Sequence, residues 1–461
     1  MARVAILGGG VSGLTAAYRV QVAGSECTPL LFEREDRFGG KIRSRESGGF
    51  LFEEGPDSFL TRKPEAVGLS RELGIDDKLI GRSPQSRGSF ILHAGRLHPL
   101  PEGLTGLVPS NPAPLAESGL LSEEGVRRMQ QGAAGEGAEG VEETVADYFV
   151  RLYGTEAFER MIEPLVSGIF AGDARRLSLG AAFPQLANRG STQGAEGRVA
   201  ASGGEVAALP PFVSYSGGMQ SLTDALESYI DSKHLRPGSP VRAVRRGRAG
   251  FLLELPDGVV VESDALILAL SPHELSEVVA PLSPDLAQAH AEIEAASTVV
   301  VNLGYATADL PKPLEGYGYL SPMADGRLFH ACTWSSSKWP GRAPDGFAAI
   351  RLYGGRYGEH DLFDAGDSEI LRLAALELEE VMGIAADPVI SRVTRWSRAI
   401  PQYNLGYSAV LNRIRKAVDD QPGLFLAGAA YGGVGIPDCI RSGEAAAKGA
   451  VAYLTQGRRE T

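Results

Sequence analysis

Cysteine is scarce in this chain of 461 residues: Cys27, Cys332 and Cys439 are odd in number and far apart. That spacing excludes a disulfide framework and offers no thiolate metal site, and it fits a reducing cytoplasm. Histidine is also sparse. His93, His98, His273, His290, His330 and His360 form no H-x-x-x-H pair, so no metal centre is expected, and neither a P-loop nor a serine nucleophile elbow is present. No run approaches the roughly 18 apolar residues of a membrane-crossing helix, and the N-terminus lacks a charged segment followed by an apolar signal core. Basic charge is short as well. Lys and Arg number 45 against 57 Asp and Glu, a formal net charge of -12, which argues against a nucleic-acid partner.

What is present describes a globular enzyme. Hydrophobic residues make up 43% and charged residues 22%, and a chain this long outgrows one hydrophobic core, so two or three domains are expected. Arg3 to Leu7 reads as a strand, Val11 to Val22 as a helix and Leu30 to Phe32 as a second strand. Phe90 to Leu97 reads as a strand pair turning at Ala94-Gly95, and recurrent prolines from Pro99 to Pro114 exclude a core helix there. Gly132 to Glu143 and Gly190 to Glu205 are polar, Gly-rich loops, and between them Val145 to Ile169 has helical apolar spacing. Further strands are expected at Val241 to Val244, Phe251 to Leu255, Val259 to Val261, Leu266 to Leu270, Val299 to Tyr305, Leu328 to Trp334 and Ala348 to Tyr353. Ser368 to Met382 reads as a helix. Leu424 to Gly428, a glycine-rich turn and Ile440 to Leu454 then repeat the strand-turn-helix order of the N-terminus. A discontinuous nucleotide domain follows.

Gly8-Gly9-Gly10-Val11-Ser12-Gly13 matches G-x-G-x-x-G after a strand and at a helix start. The first glycine permits the turn, the second lets backbone approach a pyrophosphate, and the third lets the helix pack on the strand; the helix N-terminus supplies N–H groups and a positive dipole end. Glu33 follows twenty residues after Gly13, where a carboxylate bonds ribose hydroxyls and repels a 2′-phosphate, which disfavours NADP. Beyond it, Arg34, Gly39, Gly40 and Lys41 offer a second phosphate approach. These rules leave FAD and NAD both open. Near the other end, Ala427 to Asp438 is rich in small residues and precedes a helix whose dipole could stabilise negative charge on a reduced flavin. No second G-x-G-x-x-G follows a strand, so a separate NAD(P)H domain is not expected. The histidines, and Trp334, Trp339 and Trp396, read as structural residues.

Along nearly its whole length the chain resembles the oxygen-dependent, FAD-containing protoporphyrinogen and coproporphyrinogen oxidases, a branch of the monoamine-oxidase-like flavoproteins. The segments that carry the resemblance are GGGVSGLTAAYR from Gly8, GGKIRS from Gly39, FEEGPDSFLTRKPEA from Phe52, RLHPLP from Arg96, EPLVSGIFAGDARRLSL from Glu163, SGGMQSL from Ser216, SSKWPGRAP from Ser336, AIPQY from Ala399 and GVGIPDCIRSGEAA from Gly433.

The resemblance implies an α/β fold. A discontinuous Rossmann-type FAD domain would take residues 1–75, 216–270 and 396–461, a mixed-sheet substrate domain 76–98 and 271–395, and a helical region 99–215 would meet the membrane peripherally. It implies non-covalent FAD on Gly8, Gly9, Gly10, Val11, Ser12, Gly13, Glu33, Arg34, Lys41, Gly55, Pro56, Asp57, Ser58, Val241, Ala429, Val434, Gly435 and Ile436. It implies six-electron oxidation of protoporphyrinogen IX, with O2 as acceptor and H2O2 formed. Substrate contacts are expected from Arg62, Lys63, Phe170, Ala171 and Gly172, and no catalytic base is named. Where some relatives carry an arginine before the LHPLP segment this chain has Ser89, a departure that resembles coproporphyrinogen III oxidases. Two other readings remain: an amine oxidase or desaturase on the same scaffold, and a flavin-stabilised carrier that hands porphyrin to a downstream tetrapyrrole enzyme.

Overall fold

A computed structural model describes residues 1–24, 26–101, 104–105, 107–109, 114–131, 142–187, 209–359 and 361–457. His360 and almost all of the two Gly-rich segments, 132–143 and 190–205, lie outside the described residues.

The opening strand Ala2–Leu7 is buried except at Arg3, as a strand covered on both faces must be. It sits at the centre of a five-stranded parallel sheet in the order Leu235–Arg236, Cys27–Phe32, Ala2–Leu7, Ala265–Leu268, Leu424–Leu426. The helix Val11–Val22 covers this sheet together with the long helix Ile436–Gly457. Glycine makes their contact close: a Cβ on Gly443 would lie 2.3 Å from the Ser12 carbonyl oxygen, and one on Gly449 would lie 2.7 Å from the Phe425 ring. The nucleotide unit is therefore assembled from both ends of the chain.

A seven-stranded sheet forms the second layer, in the order Ile390–Pro401, Ala295–Ala306, Phe347–Gly354, Phe329–Thr333, Gly318–Leu320, Phe90–His93, Arg96–Pro99. It is antiparallel except where Gly318–Leu320 meets Phe90–His93. One face buries Val299, Val301, Leu303, Cys332, Ile350 and Leu352 with Ile370, Ala374 and Leu378 of helix Asp367–Met382. Side chains alternate along a strand, so Asn302, which pairs with Arg351 on one side and Arg392 on the other, belongs to the opposite face. That face meets the nucleotide domain.

The expected hairpin at Ala94-Gly95 is present, with φ of 49° and 72° at those residues. The single helix expected over Val145 to Ile169 is instead a broken one. Val145–Tyr153 ends at Gly154, φ 86°, and the chain resumes as Thr155–Ala157, a wider turn over Phe158–Ile162 and Glu163–Phe170. Apolar spacing survives such a break, so periodicity alone does not reveal it. Among the described residues no helix is long and apolar enough to cross a membrane.

Candidate cofactor and substrate site

Gly8 has φ 103°, a conformation that glycine alone adopts freely. A Cβ on Gly13 would lie 1.9 Å from the Gly8 carbonyl oxygen, so the helix can press on the turn only because that position is glycine. Gly10 differs. It caps the helix with no side-chain hydrogen bond, and a Cβ there would meet nothing within 4 Å. Uncapped N–H groups facing open space at the end of a central parallel strand are what a pyrophosphate requires. The second glycine pair lies directly alongside: Gly39 N–H donates to the Gly9 carbonyl at 2.8 Å, and a Cβ on Gly40 would come within 3.0 Å of the Gly10 Cα.

Glu33 stands just past the strand Cys27–Phe32, and its carboxylate accepts the Gly9 N–H at 2.7 Å and the Glu35 N–H at 2.9 Å. It thereby ties the glycine turn to the next strand end. The segment leading to Val241 passes beside it, with Ser239 N–H donating to the Glu33 carbonyl at 2.7 Å. Arg34 pairs with Glu274. Lys41 is exposed to solvent, yet the protein around it desolvates the ammonium and lowers its pKa.

Gly55 to Ser58 form a bend pressed against the Lys41 backbone. A Cβ on Gly55 would lie 1.8 Å from the Lys41 carbonyl oxygen. Asp57 is held from the sheet domain: Oδ2 accepts Lys338 Nζ at 2.9 Å and Trp339 Nε1 at 3.1 Å, with the Arg351 guanidinium at 3.4 Å, while Oδ1 accepts the Ser58 hydroxyl at 2.8 Å. Burial alone would raise the Asp57 carboxyl, but the Lys338 and Arg351 charges override it and hold it well below the carboxylate range. Arg351 also donates to the carbonyls of Glu53 at 3.0 Å and Gly55 at 3.2 Å. Arg342, at the end of the same segment as Lys338, donates to the Ser214 hydroxyl and the Tyr215 carbonyl, each at 2.9 Å. These distant segments thus meet through side chains whose roles the sequence reading did not assign.

The glycine loop near the C-terminus is pinned as firmly. Tyr403 donates to the Ala429 carbonyl and Tyr407 to the Ala430 carbonyl at 2.6 Å, and Gly428 N–H donates to the Ser442 hydroxyl at 3.0 Å. Tyr431 donates to His290 Nε2 at 2.7 Å; the direction follows because Nδ1 faces the Leu286 carbonyl at 2.8 Å and must carry the proton. Asp438, 3% exposed, packs under Gly433 and Gly435 and accepts Lys63 Nζ and Arg441, each at 2.5 Å. Val434, Gly435 and Ile436 thus open the long helix from a braced loop. Gly428 and Gly432 leave open space where a side chain would stand.

The substrate-side residues separate. Arg62 is exposed, whereas Lys63 is tied to Asp438. Phe170, Ala171 and Gly172 are buried and serve as a junction. Ala171 has φ 46°, Tyr357 N–H donates to its carbonyl at 2.7 Å, and Gln402 Nε2 donates to the Phe170 carbonyl at 2.9 Å. Cys332 lies in the sheet core, where burial pushes its thiol above the ordinary range, and burial pushes the Cys439 thiol up to about 11.

The profile of the flavin containing amine oxidoreductases matches residues 11–451. Coproporphyrinogen III oxidase of Bacillus subtilis strain 168 is 32% identical over 98% of this chain and 98% of its own. The chloroplastic protoporphyrinogen oxidase of Oryza sativa subsp. japonica is 30% identical over 98% of this chain and 88% of its own. A solved protein from Exiguobacterium sp. 255-15, named provisionally as a protoporphyrinogen oxidase, superposes with a TM-score of 0.84 at 27% identity, covering 99% of each chain.

Proposed function

The chain belongs to the flavin containing amine oxidoreductases, and from that premise we propose that it uses non-covalently bound FAD to oxidise a porphyrinogen in tetrapyrrole synthesis, with O2 as electron acceptor and H2O2 formed. The observation that carries this reading is the open glycine cradle of Gly8 to Gly13 against Gly39-Gly40, continued by Gly55 to Ser58 and closed by the loop Ala429 to Ile436. Its two glycine-lined ends are what a dinucleotide with a flat ring needs. The flavin supplies the hydride acceptor. The protein's part would be to hold the phosphates with the uncapped N–H groups after Gly10, the ribose with Glu33, and the ring with the Asp57 turn and the loop that opens the long helix.

Non-covalent attachment is supported by both candidate thiols, Cys332 and Cys439, being buried and kept protonated. Coproporphyrinogen III is the substrate favoured by Ser89 and by the name of the Bacillus relative. Protoporphyrinogen IX is the second reading, favoured by the name of the rice relative.

Purified protein incubated in air with each porphyrinogen should develop porphyrin fluorescence faster than an enzyme-free control, and the ratio of the two rates assigns the substrate. No acceleration with either compound defeats the proposal. Flavin bleaching by amines but not by porphyrinogens under anaerobic conditions would instead establish an amine oxidase.

A further inference from the structure

The segment SSKWPGRAP meets the cofactor turn in a way that leaves charge over. Lys338 and Arg351 both face Asp57, so two cations oppose one carboxylate where the turn meets the sheet. None of the three is well hydrated, the side chains being 18%, 2% and 12% exposed respectively. The neighbouring carboxylates do not make up the difference. Glu53 has its own cation, Arg342, at 3.6 Å, and accepts the Ser44 hydroxyl at 2.6 Å and the Met219 N–H at 2.9 Å. Glu54 is fully buried against Arg43, Arg45 and Arg392. A surplus positive charge with little water around it acts strongly on whatever lies across the turn.

Arg351 is held by the Glu53 and Gly55 carbonyls as well as by Asp57. Among the described residues Lys338 makes one side-chain hydrogen bond, to Asp57, and its ammonium also lies 5.2 Å from the Trp339 ring. Burial lowers the Lys338 pKa, and the Asp57 carboxylate at 2.9 Å opposes that shift and favours the ammonium. Resting on the flavin reading above, we infer that Lys338 is a positioning residue for the cofactor ring: through Asp57 it fixes the turn, and its surplus charge favours the negative charge the ring takes up on reduction. Charge near a flavin is a principal means by which a protein tunes its potential.

The test uses the flavin-loaded protein and the variants K338M, K338Q and K338R. Two quantities are read, the midpoint potential of the flavin by dye equilibration and the dissociation constant for sulfite. Sulfite donates its sulfur electron pair to the oxidised ring and leaves negative charge there, so its affinity reports the local field without porphyrinogen. K338M and K338Q should lower the midpoint and weaken sulfite at least tenfold, and K338R should restore both. A neutral variant that keeps its flavin with unchanged midpoint and sulfite affinity overturns the inference, and so does loss of flavin from both neutral variants, which makes the role structural. Wild-type protein that binds no flavin would overturn the proposed function instead.

Discussion

Gln402 Nε2 donates to the Phe170 carbonyl at 2.9 Å while its Oε1 stands where a Cβ on Gly172 would be, 2.2 Å away. One side chain thus ties the strand Ile390–Pro401 to the helical region and forces glycine at the partner position. Gly172→Ala should destabilise the protein by about 2 kcal/mol and Gln402→Ala by about 1–3 kcal/mol, the latter through an unsatisfied buried carbonyl. The double variant should be less unstable than the sum, because removing Gln402 vacates the space that the alanine needs. Urea unfolding of the four proteins checks this, and strict additivity would count against it.

Gly10 and Gly13 should part company. Gly10→Ala enters open space and should cost less than about 0.5 kcal/mol, whereas Gly13→Ala drives a carbon into the Gly8 carbonyl and should cost more than about 2 kcal/mol. Gly10→Arg should give folded, colourless protein. Circular dichroism with flavin absorbance separates these outcomes, and Gly10→Arg with normal flavin content would refute the pyrophosphate placement.

Arg62 and Lys63, adjacent in sequence, should report different things. Lys63→Ala removes one of two cations from nearly buried Asp438, loosens the loop under Gly433 and Gly435, and should lower flavin retention. Arg62→Ala should leave flavin content intact and raise the KM for porphyrinogen several-fold. Equal flavin loss from the two variants would contradict the assignment.

Acid should find the buried histidines. His330 is lowered by burial, and further by Arg356, to about 3; His290 is lowered by burial, with the Leu286 carbonyl pulling the other way. In the unfolded chain both would take a proton near pH 6.5. The folded state refuses it, so stability is full above about pH 6.5 and falls as the pH drops below that, for His330 down to about 3, at up to about 1.4 kcal/mol per pH unit. His330→Gln should shrink the drop in urea midpoint between pH 7 and pH 5. An unchanged drop would mean that His330 does not contribute.

Local chemistry was legible in sequence: the glycine turn, Glu33 at its strand end, the hairpin at Ala94-Gly95 and the strand-loop-helix at the C-terminus each follow from near neighbours. What distant side chains decide was not. The strand Ile390–Pro401 is hidden by its arginines, since Arg392 turns toward Glu54 and Arg395 toward Asp367 on opposite faces, which erases the alternation of a half-buried strand. Lys338 and Asp57 are 281 residues apart, and neither residue alone suggests the other. Lys63, an expected substrate contact, gives no sign in sequence of the Asp438 that the fold brings to it.

The helix that begins at Ile436 rests on Ser12 through Gly443, and the strand Leu424–Leu426 completes the sheet that Ala2–Leu7 begins. The nucleotide fingerprint is therefore made well before the strand and helix that complete its support. An N-terminal fragment that ends before Leu424 would carry every glycine of the motif without the helix that backs it. The helix Ile436–Gly457 must leave the ribosome before the cofactor can be retained, and such long-range closure predicts slow folding. Flavin added once synthesis is finished should thus serve the yield of native protein as well as flavin supplied during it.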